Sequence, residues 1–118
     1  IQSDFLSEYA KVEKFDNLDS NLNNYEKYYI KIDVEGFEYE VLMGMQNLIN
    51  KKFCLLKIEL NWNYFSIKRL NNIYNFFSSR NYHAYLFDNE KKNLIKVTRD
   101  ELISKLETNT YDVVFAKN

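Results

Sequence analysis

Residues Tyr28 to Met45 read YYIKIDVEGFEYEVLMGM, and within this stretch the hydrophobic period changes from two to nearly four. A chain with that change must pass from a strand into a helix. Ile30, Ile32 and Val34 alternate with Tyr29, Lys31 and Asp33, which predicts a strand over Tyr28 to Val34 with Asp33 at its carboxyl end. Beyond it, Phe37, Val41, Leu42, Met45, Leu48 and Ile49 recur at helical spacing, predicting one helix from about Glu38 to Asn50 with that stripe on a sheet. Gly36 serves the tight turn between them. Gly44 reads as a close-packing point, because a phosphate loop would need a second glycine beside it.

The chain has no proline and only two glycines, so Asn, Asp and Ser clusters at Asp19 to Asn24, Asn61 to Ser66 and Asp88 to Asn93 must separate its elements. Between them the pattern predicts a short strand near Ala10 to Phe15, the strand Tyr28 to Val34 and its helix, and a second core strand at Phe53 to Leu60. A helix follows over about Ser66 to Ser79, carried by Ile67, Leu70, Ile73, Tyr74 and Phe77, with Ser66 as N-cap. Strands at Tyr82 to Phe87 and Tyr111 to Ala116 flank a short extended piece, Leu94 to Val97. They also flank a helix of Leu102, Ile103 and Leu106, which Thr98 and Glu101 open at capping-box spacing. This order predicts one α/β domain over residues 1–118 with a largely parallel sheet.

The acids lie where such a sheet does chemistry. Asp33 and Glu35 follow one core strand, and Glu59 ends the next, where Leu55, Lys57 and Glu59 alternate with Leu56, Ile58 and Leu60. If the two strands are parallel neighbours, Asp33, Glu35 and Glu59 converge on one rim, outside which ligands of open α/β sheets bind. Clustered acids there can hold a hard cation, orient a polar substrate or act as general base. Glu35 serves equally well as a cap for the following helix. An acid ending an apolar strand, as Asp33 does, points more to function than to structure. Trp62, with Asn61 and Asn63, follows Glu59 and could line a pocket, although packing is the safer reading of a tryptophan.

Other chemistries find little support. His83 is the only histidine, which removes a histidine-based metal cluster, and Ser66 and Ser78 have no histidine partner in a suggestive context, so a nucleophilic triad is not expected. The net charge of −1, with Lys and Arg scattered along the chain, gives no nucleic-acid footprint. Cys54, alone and inside FCLLKIEL, cannot form an internal disulfide; it reads as a small buried hydrophobe in a reducing, cytoplasmic setting. No apolar run approaches the length of a membrane span.

These residues carry a resemblance. IKIDVEGFEYEVLMGMQNLI resembles the strand-turn-helix hallmark of the FkbM family of S-adenosylmethionine-dependent O-methyltransferases, and LLKIELN resembles the strand after it. VEKFDNLDSNL upstream, and YHAYLF and YDVVFAKN downstream, are similar to further strands of that family. The resemblance implies a Rossmann-like class I methyltransferase sheet. The strand before Asp33 would be its fourth, that of Glu59 its fifth, and the last two its sixth and seventh, the seventh antiparallel. It also implies methyl transfer from S-adenosylmethionine to a hydroxyl of a sugar, glycan or other natural product, with Asp33 as general base or orienting group and Glu35 and Glu59 contacting substrate or a divalent ion. In such enzymes the donor lies over the first strands, on a glycine-rich turn and an acid of the second strand, and this chain has no GxG pattern. The chain, which begins at Ile1, therefore resembles the C-terminal part of the domain. It is expected to be inactive alone and to depend on an N-terminal half of the same protein or on a partner chain. The competing expectations are a non-catalytic interaction domain and a metal-dependent hydrolase built on the same carboxylates.

Overall fold

The computed structural model describes residues 25–34, 36–61, 66–107 and 110–117. The expected strand near Ala10 to Phe15, together with Glu35, Trp62 and Asn63, lies outside the described residues. Within them the chain forms β1 (Lys27–Ile32), α1 (Glu38–Met43), α2 (Gln46–Lys51), β2 (Phe53–Leu60), α3 (Ile67–Ser78), β3 (Tyr82–Asp88), β4 (Asn93–Val97), α4 (Arg99–Leu106) and β5 (Tyr111–Lys117).

The five strands make one sheet in the order β1-β2-β5-β3-β4. Only β1 and β2 pair in parallel; β5 runs antiparallel to both β2 and β3, and β4 antiparallel to β3. The expectation of a largely parallel sheet is corrected accordingly. Helices reverse the chain after β1 and β2, which keeps β1, β2 and β3 pointing one way. A tight turn then reverses it without a helix: Asp88 Oδ1 accepts from the amides of Glu90 and Lys91, and Lys92 takes a left-handed φ of 56°. The piece expected at Leu94 to Val97 thus becomes β4 of a hairpin, and α4 carries the chain back over the sheet so that β5 enters between β2 and β3.

Alternation decides which face is dry. Cys54, Leu56, Ile58 and Leu60 of β2, Val113 and Phe115 of β5, and Tyr82, Ala84 and Leu86 of β3 are buried. Leu42, Met45, Leu48, Ile49, Leu70, Ile73, Phe76, Phe77, Leu102 and Leu106 of the helical layer join them in one cluster. Burial raises the Cys54 thiol, and more strongly the Tyr82 hydroxyl, above their ordinary pKa values, so both are neutral core groups at pH 7. No helix among the described residues is long and apolar enough to cross a membrane.

The expected single helix from Glu38 to Asn50 is two. At Gly44 the α-helical ladder tightens: its amide reaches both Glu40 O and Val41 O, and the Met45 amide reaches back only three residues to Leu42 O. Through the break Leu42, Met45, Leu48 and Ile49 stay on the core, while Phe37 of the expected stripe is 66% exposed at the N-cap of α1. The start of α4 matches expectation, with Thr98 and Glu101 forming a reciprocal capping box. The hydrogen bond from the Thr98 backbone N–H holds the Glu101 carboxyl below its usual range. A depressed carboxyl adds stability above its unfolded-state pKa, near 4.3, that is lost as pH falls through the folded-state value. Hydrogen exchange is therefore expected to show the amides of Thr98 and the first turn of α4 less protected, relative to the core, at pH 3 than at pH 6; unchanged relative protection would remove the charged cap.

Candidate active site

The ladder of β1 stops at Ile32, two residues before the Val34 that alternation predicts, because amides beyond it find other partners. Val34 N–H and Gly36 N–H donate to the two oxygens of the Glu38 carboxylate, at 3.2 and 2.9 Å, and Phe37 N–H closes back on Val34 O at 3.3 Å. Val34 is thereby drawn out of the strand and left 39% exposed. Glu38 itself is only 1% exposed, a buried carboxylate compensated by two amide donors. Gly36 has φ 102°, in the region a side chain disfavours, which is why the turn takes glycine there.

The same turn is held from its carbonyl side by a residue far along the chain. Arg69, in the first turn of α3, donates through Nη2 to Gly36 O and lies 2.7 Å from Glu40 Oε1 of α1. The backbone from which Arg69 projects is itself fixed, since Ser66 Oγ accepts from Arg69 N–H at 3.2 Å.

Asp33 follows the last residue of β1 and is exposed. Ile32 pairs with Ile58, so Asp33 and Glu59 come next after a register pair of parallel neighbours. Glu59 is half-buried and stands directly opposite Asp112 of β5. A row of carboxylates, Asp33, Glu59 and Asp112, thus crosses one end of three adjacent strands. One step back lie Lys31 and Lys57, register partners, and Lys57 Nζ reaches Asp112 Oδ2 at 3.5 Å. That exposed pair adds no more than about 1 kcal/mol of stability and leaves both groups open to a ligand. Beside the row, on the face of the sheet opposite the helices, a shallow hollow of about 500 Å³ is walled by Tyr29, Leu55, Val114, Phe87 and Leu94, with Lys57 and Asp112 as its polar edge. Among the described residues no three His, Cys, Asp or Glu side chains gather closely enough to hold a metal ion.

Three residues of this constellation lie outside the acids that strand alternation marks. Asp112 is invisible until β5 is known to lie against β2. Glu38 reads as an ordinary first-turn acid, although an acid two residues past a turn glycine can reach back to that turn's amides. Arg69 is silent in sequence, since its partner lies 33 residues away.

Residues 3–84, more than half of the chain, match the family model described as Methyltransferase FkbM domain. No curated protein and no solved structure matches the chain.

Proposed function

The chain belongs to the FkbM methyltransferase family, and from that premise we propose that it forms the acceptor side of an S-adenosylmethionine-dependent O-methyltransferase acting on a hydroxyl of a sugar, glycan or other natural product. The observation that carries this reading is the parallel register of β1 and β2, which sets Asp33 next to Glu59 at their carboxyl ends, beside the hollow. A hydroxyl seated there meets carboxylates that accept its hydrogen bonds. Asp33 takes the hydroxyl proton as the oxygen becomes nucleophilic, Glu59 orients a neighbouring hydroxyl, and the apolar wall supports the body of the acceptor. Glu35, two residues beyond Asp33, is a secondary candidate for the same contacts.

Neither glycine of the chain offers a free backbone amide to a methyl donor. The amide and carbonyl of Gly36 are taken by Glu38 and Arg69, and the Gly44 amide bonds back into α1. In this reading the donor site is supplied by a further part of the same protein or by a partner chain. Among the described residues β1 stands at one edge of the sheet, with Tyr29 72% exposed, as a place for such a part to join.

Calorimetry of the full-length protein with S-adenosylmethionine tests the reading, followed by mass spectrometry of a panel of sugars incubated with both. Binding heat and a methyl group on acceptor oxygen are expected. Absence of binding heat would instead make this a methyltransferase-like interaction domain.

A further inference from the structure

Resting on the role proposed for Asp33, we propose that Arg69 is a positioning residue: it holds the β1–α1 turn so that the Asp33 carboxylate stays fixed at the rim. The turn after Asp33 lies beyond the sheet ladder, and apart from the Phe37 N–H to Val34 O bond its polar backbone groups are held by two side chains. Glu38 takes the amides of Val34 and Gly36, and Arg69 takes the Gly36 carbonyl. Glu38 comes from the element the turn leads into, so it fixes the turn relative to α1 only. Arg69 comes from α3, which begins shortly after β2 ends, so its guanidinium ties the segment after Asp33 to the segment after Glu59. The separation of the two acids is set by the β1–β2 register and by this tie.

The Arg69 side chain is 35% exposed and occupied on both sides of Nη2, by Gly36 O and by Glu40. A fork that accommodates two acceptors in fixed directions suits arginine; lysine can reach one as a point charge. Arg69 thus acts on the reaction through the turn, without touching the acceptor. Glu40 steadies the guanidinium from the solvent side, and losing it leaves the Gly36 contact in place.

The test uses the full-length protein with Arg69→Gln, Arg69→Lys, Glu40→Gln and Asp33→Asn. Three readouts are followed: the melting temperature, deuterium uptake of the peptide covering residues 33–40, and S-adenosylhomocysteine formation with the best acceptor from a monosaccharide panel. Arg69→Gln is expected to stay folded, to raise uptake in that peptide at least about fivefold, and to lower kcat about tenfold with KM for the donor within about twofold. Arg69→Lys should recover part of both effects, and Glu40→Gln should stay within about twofold of the parent protein. Unchanged uptake in Arg69→Gln would overturn the inference, as would a fall in kcat without looser exchange, since Arg69 would then act by direct contact. Looser exchange with kcat intact, while Asp33→Asn is crippled, would overturn it as well. An unimpaired Asp33→Asn protein marks a different failure, that of the role given to Asp33.

Discussion

Replacing Asp33 by Asn in the full-length protein is expected to lower methyl transfer by at least about tenfold while leaving the melting temperature almost unchanged. Asparagine keeps the size and one carbonyl oxygen of aspartate, so it can still hydrogen-bond an acceptor hydroxyl. What it cannot do is take the proton. General-base assistance is worth roughly 10² to 10⁴ in rate, and the lower expectation allows for a neighbouring carboxylate, Glu59, to serve in part. The fold should tolerate the change, because Asp33 is exposed and lies beyond the last paired residue of β1. Exposed substitutions of this kind stay within about 0.5 kcal/mol. Steady-state kinetics beside a thermal melt separates the two effects. Turnover equal to that of the parent would reduce Asp33 to a surface acid at the head of a helix.

The largest expected loss of stability is at Phe77, where substitution by Ala should lower the unfolding free energy by about 3–5 kcal/mol. Phe77 is 1% exposed on α3 and lies flat against Phe115 of β5, with ring centroids 4.0 Å apart and planes within 10°. Phe76 meets it edge-on at 5.3 Å, and Tyr82 of β3 tilts against it at 5.4 Å. Removing the ring leaves a void between the helical layer and the strand at the middle of the sheet, bordered by aromatic rings that cannot easily collapse into it. Against a typical total of about 5–15 kcal/mol, that is a large share. Phe37→Ala is the contrast: the side chain is 66% exposed, and the change should stay within about 0.5 kcal/mol. Urea unfolding of both variants checks the pair. Equal losses would mean that α3 does not seat on β5 as described.

Phe77 and Phe37 also show how far periodicity reaches. Both fall on apolar stripes, but Phe37 is the N-cap of α1, ahead of its first turn, and the chain enters α1 from a turn that leaves Phe37 in solvent. The break at Gly44 has the same character. Six apolar positions fit one continuous helix as well as two short ones, and Leu42 and Ile49, seven residues apart and both fully buried, share a face either way, so the apolar period does not mark the break. The strand directions are not legible in the pattern, because nothing in the short extended piece Leu94 to Val97 announces that it pairs with β3 in a hairpin that reverses the chain.

The amino-acid sequence alone determines the main strands with their two faces, the start of α4 and the placement of Asp33 and Glu59 at strand ends, because each follows from side chains within a few residues of one another. Alternation marks β2 as dry on the Leu56 side, and Thr98 and Glu101 announce α4. The order of the strands, the opposition of Glu59 to Asp112, and the grip of Arg69 on Gly36 were settled only when the chain closed on itself. These contacts join residues distant in sequence, and no local period encodes which distant group will arrive. A strand's faces are a property of the strand; its neighbour is decided by how the whole apolar surface can be buried at once.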